Sequence, residues 1–272
     1  MATTEHRQVE RCPAGNLEED VLVVEEPLEI RVEGKPLAVT MRTPGHDLEL
    51  AAGFLMSEGI IDGADDLQAL RHIDADRNQN TVDCVLAAGI DPHLEAVSRA
   101  TRELYATSSC GLCGKASIDR IRVQAGPISG AVHLTDAQVL ALPDLLARAQ
   151  QDFGQTGGLH AAALVRPDGS LEVVREDIGR HNAVDKVLGW RLLEGATPVD
   201  DRALLVSSRA GFEIVQKALV AGVPLVIAVG AASTLAVDLA RETGLELVGF
   251  LRSGRFNRYH RPPNSRGSEA DV

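Results

Sequence analysis

The residues whose types and spacing could do chemistry are concentrated at Ser108-Ser109-Cys110-Gly111-Leu112-Cys113-Gly114-Lys115. A thiol becomes a nucleophile or a metal ligand when it ionises, and nearby positive charge favours that. No acidic residue occurs between Glu103 and Asp119, and the only formal charge there belongs to Lys115. Glycines beside the pair let the backbone fold tightly and expose the sulfurs, and the two serines can donate hydrogen bonds to a thiolate. The residues alone leave several chemistries open. A single C-x-x-C supplies half of a four-thiolate zinc site, and the remaining cysteines, Cys12 and Cys84, are isolated. A thioredoxin-like dithiol would follow a strand and open a long helix. Two thiols can also serve as small apolar side chains. Sulfur or redox chemistry on an exposed loop suits the surroundings best.

Other segments carry dense polar chemistry. Glu176-Asp177-Ile178-Gly179-Arg180-His181-Asn182 lies where a strand passes into a helix, a common ligand position in α/β sheets. The plainer alternative is helix capping with surface ion pairs. Ser207-Ser208-Arg209 and Gly230-Ala231-Ala232-Ser233-Thr234 occupy equivalent junctions, where backbone N–H groups can cradle phosphate or simply pack closely. Arg252, Arg255, Arg258, Arg261 and Arg266 follow the last strand with no acidic residue interrupting them until Glu269. They form either a phosphate-binding cluster or a solvated basic tail. His160 is a site histidine or a satisfied core histidine. It invites comparison with the H-x-E of zinc nucleobase deaminases, but the position of the acid is Ala162 and the cysteine pair lies upstream, so deamination is not expected.

These groups need elements to position them. In 272 residues, 44% hydrophobic residues suffice for a buried core, while 3% aromatics leave it to Val, Leu, Ile and Ala. A formal charge of -12 excludes a general nucleic-acid binder. The N-terminal residues are too polar for a secretory signal, so a reducing cytoplasm is expected. The uncharged stretch Ala218 to Val237 is divided by Gly222-Val223-Pro224 and again from Gly230, so no membrane span is expected.

Residues 1–19 are polar and irregular and are expected to be a flexible arm. An N-terminal α/β domain follows over 20–125. It comprises a hairpin from Leu28 to Met41 around Glu33-Gly34-Lys35-Pro36, a helix Leu48 to Ser57 with Asp47 as N-cap and Gly59 as terminator, a turn from Asp76 to Gln79, a strand Thr81 to Ala87, and a helix Pro92 to Tyr105 running into the cysteine segment. Residues 126–262 form a three-layer α/β/α domain. Its helices are Thr135 to Ala149, His181 to Leu193, Gly211 to Ala221 and Thr234 to Thr243. Its strands are Leu159 to Val165, Leu171 to Val174, Ala203 to Val206, Pro224 to Val229 and Leu245 to Phe250. This alternation predicts parallel crossovers and a sheet covered on both faces. Residues 263–272 are expected to be a flexible tail.

Taken together, the motifs resemble the formate dehydrogenase accessory sulfurtransferase family, FdhD. The matching blocks are Thr43-Pro-Gly-His-Asp-Leu-Glu-Leu-Ala-Ala-Gly-Phe-Leu-Met-Ser-Glu-Gly59, Ser108 to Lys115, Gly157-Gly-Leu-His160, Glu176 to Lys186, Ser207-Ser-Arg209 and Val248-Gly-Phe250 onward. The resemblance implies a sulfur carrier that takes persulfide from a cysteine desulfurase. The sulfur goes to the molybdenum or tungsten bis-molybdopterin guanine dinucleotide cofactor and so activates formate dehydrogenase. It matches Cys110 to the persulfide-bearing thiol and Cys113 to the second thiol. It matches Phe250, Leu251, Arg252, Ser253, Gly254 and Arg255 to the cofactor-binding stretch, with the cofactor as bound substrate and no permanent metal. It further implies a homodimer in the cytoplasm and a C-terminal domain similar to the cytidine deaminase fold. Two other classes stand beside this one: a non-catalytic chaperone that binds and inserts the cofactor, and a small zinc-binding module.

Overall fold

The computed structural model describes residues 2–73, 79–90, 126–252 and 254–263. The expected helix from Pro92 to Tyr105, most of the turn at 76–79, the cysteine segment, Ser253 and Arg266 lie outside the described residues.

The chain is mixed α/β, with three sheets among the described residues. The N-terminal segment is not irregular: β1 (Thr4–Arg11) and β2 (Asn16–Val23) pair as an antiparallel ribbon. The ribbon escapes detection because its first strand is almost wholly polar and the apolar residues of its second, Leu17 and Leu22 among them, are not buried as a core face. Cross-strand charges hold it instead, with Arg11 at 3.3 Å from Glu18 and 3.2 Å from Asp20.

Next comes a four-stranded sheet of order β4-β3-β6-β5, built from β3 (Glu26–Val32), β4 (Lys35–Arg42), β5 (Leu67–His72) and β6 (Thr81–Leu86). The hairpin loop is shorter than expected. Val32 pairs with Lys35, and Glu33 and Gly34 both take positive φ, 51° and 72°, the geometry that matches strand twist in a two-residue turn. Helix α1 (Asp47–Ser57) follows. Its N-cap is His46, at φ 58°, and not Asp47. The Asp47 carboxylate is taken by buried Arg42, whose Nε and Nη2 donate to it at 3.0 and 3.1 Å.

The second part of the chain adds helices α2 (Asp136–Ala149), α3 (Gln151–Thr156), α4 (Arg180–Leu193), α5 (Phe212–Val220) and α6 (Thr234–Thr243) to a six-stranded sheet. Its strands are β7 (His160–Val165), β8 (Leu171–Asp177), β9 (Ala203–Val206), β10 (Leu225–Ala228), β11 (Glu246–Arg252) and β12 (Arg255–His260), in the order β12-β11-β10-β9-β7-β8. Only β9, β10 and β11 run parallel; β7 is antiparallel to both its neighbours, and β12 to β11. The expectation of parallel crossovers holds for the middle of the sheet and fails at both margins, where hairpins replace helices.

Side-chain alternation gives this sheet two buried faces. Ala162, Leu164, Leu204, Val206, Val226 and Leu247 join a core shared with α4, α5 and α6; that core continues through α1 to Leu28 and Ile30 of the smaller sheet. Ala163, Val165, Leu205, Ile227 and Val248 face the opposite way onto Val139, Leu142 and Leu146 of α2. Helices therefore cover both faces, and one apolar core joins the two larger sheets. No helix among the described residues is long and apolar enough to cross a membrane.

Candidate functional site: a ledge at the strand ends

The parallel strands β9, β10 and β11 all end on one edge of the six-stranded sheet, the position where α/β sheets present loops to ligands. The junctions singled out in the sequence meet there. Gly230 N–H donates to Ser208 O at 3.0 Å, Ala210 N–H to Ala231 O at 3.1 Å, and Ser233 N–H to Ala210 O at 3.1 Å. Phe250 N–H donates to Gly230 O at 2.7 Å. The three strand ends form one backbone-stapled ledge. Ser233 also caps α6, its Oγ accepting from Ala236 N–H at 3.3 Å.

Phe250 departs from β geometry, with φ 58°. The Arg252 guanidinium lies 5.1 Å from its ring centroid, within cation–π range. Arg252 pairs across the hairpin with Arg255, and Gly254 takes φ 75° at the turn. Both arginines are exposed and have no ion pair among the described residues. Leu251 points the other way, 2% exposed, into the core under α2. It anchors the strand beneath the ledge.

The arginine series divides in the structure. Arg258 is neutralised by Glu246 at 2.9 Å and Asp136 at 3.2 Å. The carboxylates that pair with it are remote in sequence, so the run looked uninterrupted.

The segment from Glu176 to Lys186 proves to be chiefly an interlock. Asp177, fully buried, accepts from Thr43 N–H, Gly179 N–H and Asn182 Nδ2, and Lys186 Nζ lies 2.7 Å from it. Lys186 also donates to Thr43 O at 2.9 Å, and Asn182 Nδ2 to Met41 O at 2.7 Å. These bonds tie the end of β4 to the β8–α4 junction. Buried polar groups require such partners. The alternative of helix capping with surface ion pairs holds for Glu176, whose carboxylate accepts from Asp152 and Phe153 N–H at the start of α3, and for Arg180 and His181, which meet Glu213 at 3.9 and 2.6 Å. Sequence reasoning missed two further clusters of this kind, because their members lie far apart along the chain. Glu49 accepts from Arg175 at 2.6 and 2.8 Å. Lys217 donates to Ser57, Glu58 and Asp185 at 2.9, 2.8 and 3.0 Å.

Arg180 and His181 of the segment do reach the surface. His181 Nε2 meets Glu213 Oε2 at 2.6 Å, and that hydrogen bond holds the Glu213 carboxyl below its ordinary range. His160, at the start of β7, has its imidazole pushed toward the neutral form, first by burial and then by the charges of Arg180 and His181. Ala162, where a deaminase would carry its acid, is completely buried.

Of the four cysteines, Cys110 and Cys113 lie outside the described residues. Cys84 is sealed in the core, and burial pushes its thiol up to about 12. Cys12 is exposed in the β1–β2 turn. Among the described residues no group of three or more His, Cys, Asp or Glu side chains could hold a metal ion.

The structure thus defines a mixed α/β protein whose larger sheet presents a cationic, backbone-lined ledge at its carboxyl strand ends. The chain belongs to the FdhD/NarQ family, whose model matches residues 23–265. A Streptomyces avermitilis protein named sulfur carrier protein FdhD is 51% identical over 269 residues, covering 94% of this chain and 93% of its own. A Mycolicibacterium paratuberculosis protein of the same name is 48% identical over 271 residues, covering 96% and 98%. A solved structure from Desulfotalea psychrophila, described as a candidate formate dehydrogenase accessory protein, shares the fold. Its TM-score is 0.74 at 24% identity, covering 96% of this chain and 97% of that one.

Proposed function

We propose that this protein is a sulfur carrier for formate dehydrogenase maturation, acting as a sulfurtransferase on a persulfide. The observation that carries the proposal is the family match over residues 23–265, which spans both Cys110 and Cys113 and includes relatives named as sulfur carriers. The only other thiols are an inert core cysteine and a ribbon cysteine remote in sequence from any second thiol.

In the proposed reaction the Cys110 thiolate attacks the terminal sulfur of a cysteine desulfurase persulfide. The new S–S bond forms on Cys110, and the desulfurase thiolate departs with the electron pair of the broken bond. Lys115 favours the anionic product. The substrate is the bis-molybdopterin guanine dinucleotide cofactor. Its nucleotide ends dock at Phe250 to Arg255, where Arg252 and Arg255 meet phosphate and the Phe250 ring offers a flat apolar face. Cys113 either shares the persulfide or resolves it: its thiolate attacks Cys110 Sγ, the Cys110–Cys113 disulfide forms, and the outer sulfur leaves with the electron pair of the broken S–S bond as hydrosulfide for the metal, the thiol pair supplying the two electrons. The homodimer, the cytoplasmic setting and the cytidine deaminase likeness of the larger sheet belong to the same proposal.

The test is intact-mass spectrometry after incubation with a desulfurase and cysteine. A gain of about 32 Da, one sulfur atom, is expected in the parent protein and not in Cys110→Ala. A full adduct on Cys110→Ala overturns the assignment. Normal activation of formate dehydrogenase by a Cys110→Ala/Cys113→Ala double variant would instead make the protein a cofactor-inserting chaperone.

A further inference from the structure

The ribbon of β1 and β2 is a two-stranded sheet on its own, and two strands in water are marginal until further strands or a helix join them. The body of the protein supports β2, which packs on α3 and whose Val23 lies 3.4 Å from where a Cβ on Gly158 would stand. β1 has β2 on one side and, among the described residues, no strand on the other. Its eight residues, most of them exposed, offer roughly 27 Å of open edge. The ribbon also lies almost wholly before residue 23, where the match to the family model begins.

The register fixes which backbone groups are free. Val24 N–H donates to Thr3 O at 2.9 Å, so Thr3 and Val24 are hydrogen-bonded partners. Such partners alternate along an antiparallel ladder, and the register runs without a shift from Thr4↔Val23 to Arg11↔Asn16. Glu5, Arg7, Val9 and Arg11 therefore turn their N–H and C=O groups to β2. Those of His6, Gln8 and Glu10 point away from it.

Along this edge the order is Glu5-His6-Arg7-Gln8-Val9-Glu10-Arg11. When a second β1 lies antiparallel with Gln8 opposite Gln8, outward groups meet outward groups. Glu5 of one copy then stands opposite Arg11 of the other, His6 opposite Glu10, and Arg7 opposite Val9. Moving the centre by one residue sets Arg7 opposite Arg7, or Arg7 opposite Arg11. Like charges directly opposite destabilise a sheet and unlike charges stabilise it, so the charges select one register. The ion pairs that Arg7 and Arg11 make within the ribbon are solvent-exposed and weak, which leaves these side chains free to be shared across the contact. A two-fold axis through Gln8 also closes the assembly at two copies, because each β1 edge is then used up.

We propose that β1 is a self-pairing edge: two copies of this chain join β1 to β1, antiparallel about Gln8, in a four-stranded sheet of order β2-β1-β1-β2. The inference rests on the homodimer reading above and gives it an interface.

Sedimentation equilibrium and oxidative crosslinking of the full chain test it. The parent should be a dimer at micromolar concentration. Gln8→Pro removes an outward N–H and places a ring in the path of the second strand, while sparing the β1–β2 ladder. It should raise the dimer dissociation constant about tenfold or more, the loss attending two hydrogen bonds across the axis. Gln8→Cys should give a disulfide joining position 8 of one copy to position 8 of the other, identified by peptide mass spectrometry. Bonded antiparallel partners stand about 5.5 Å apart at Cα, a span that a disulfide bridges. Glu19→Cys, opposite Gln8 on the far strand, should give no such link. A dimeric parent whose Gln8→Pro variant dimerises equally, or whose Gln8→Cys variant forms no link at position 8, overturns the ribbon interface and leaves the homodimer reading standing. A link at position 19 does the same, by placing β2 at the contact. A parent that stays monomeric overturns both readings and leaves the edge to a strand of another protein.

Discussion

Gly53 of α1 and Gly189 of α4 face one another at the helix crossing that joins the two larger sheets. A Cβ on Gly53 would overlap the carbonyl oxygen of Asp185, and one on Gly189 would overlap that of Glu49. The helices touch backbone to backbone, which only glycine at both positions allows. Ala51, Ala52, Val184 and Leu188 pack in the same core.

Because rigid backbone is what a new methyl would strike, Gly53→Ala or Gly189→Ala forces the helices apart. The expected cost is about 1–3 kcal/mol or more, the range for overpacking. Gly154→Ala in α3, where nothing lies within 4 Å of the added atom, serves as the comparison. Urea melts check it; equal midpoints for the three variants would refute the backbone contact.

Glu49 makes stability sensitive to acid. Burial raises its carboxyl pKa, but the hydrogen bonds from Arg175 and His46 outweigh this and hold it below the ordinary 4.5. A carboxyl whose folded pKa is depressed adds stability above its unfolded pKa, and loses it as pH falls through the folded value. Glu49→Gln should cost about 1–3 kcal/mol at neutral pH and show a shallower fall in stability below about pH 4.5. Identical slopes in denaturant melts across this range would remove Glu49 from the account.

Lys217 governs the alkaline side. Burial alone would lower its pKa, yet the carboxylates of Asp185 and Glu58 hold the ammonium charged above the ordinary 10.5. A raised folded pKa means stability is fully present below the unfolded value and is lost as pH climbs toward the folded one. Lys217→Met strands Asp185 without its cation and should cost about 3–5 kcal/mol. Adding Asp185→Leu should return much of that. A double variant no more stable than the single one would contradict the pairing.

Cys84 should resist modification. Its thiol, raised to about 12 and buried, stays protonated at pH near 8. Iodoacetamide should leave it intact in native protein and label it only after unfolding, whereas exposed Cys12 reacts in both states. Peptide mass spectrometry reads the outcome, and rapid native labelling at Cys84 would reopen the question of which thiols carry sulfur.

Elements with apolar alternation or strong caps were legible along the chain. Ala203–Val206 and Thr234–Thr243 fall where periodicity puts them, and the helix expected over Thr135 to Ala149 is α2, with Thr135 as its N-cap and not its first turn. The strands β1, β2, β5 and β12 were not legible, because their pairing rests on partners across the sheet and their few apolar residues are exposed or only half buried. Asp47 misled for a related reason. Its carboxylate suits an N-cap, but Arg42 offered a buried, forked partner, and the stronger interaction prevailed.

The sequence by itself determined the order of elements, the spacing of Cys110 and Cys113, and the presence of small residues and arginines at the strand ends, since each is a local property of the chain. Tertiary structure alone decided which of those polar residues are spent on holding the fold. Asp177, Asn182, Lys186 and Arg258 found carboxylate, amide or carbonyl partners from distant segments, while Arg209, Arg252 and Arg255 came to the ledge without one. Burial forces a polar group to find a partner, and which groups are buried depends on contacts between segments far apart along the chain.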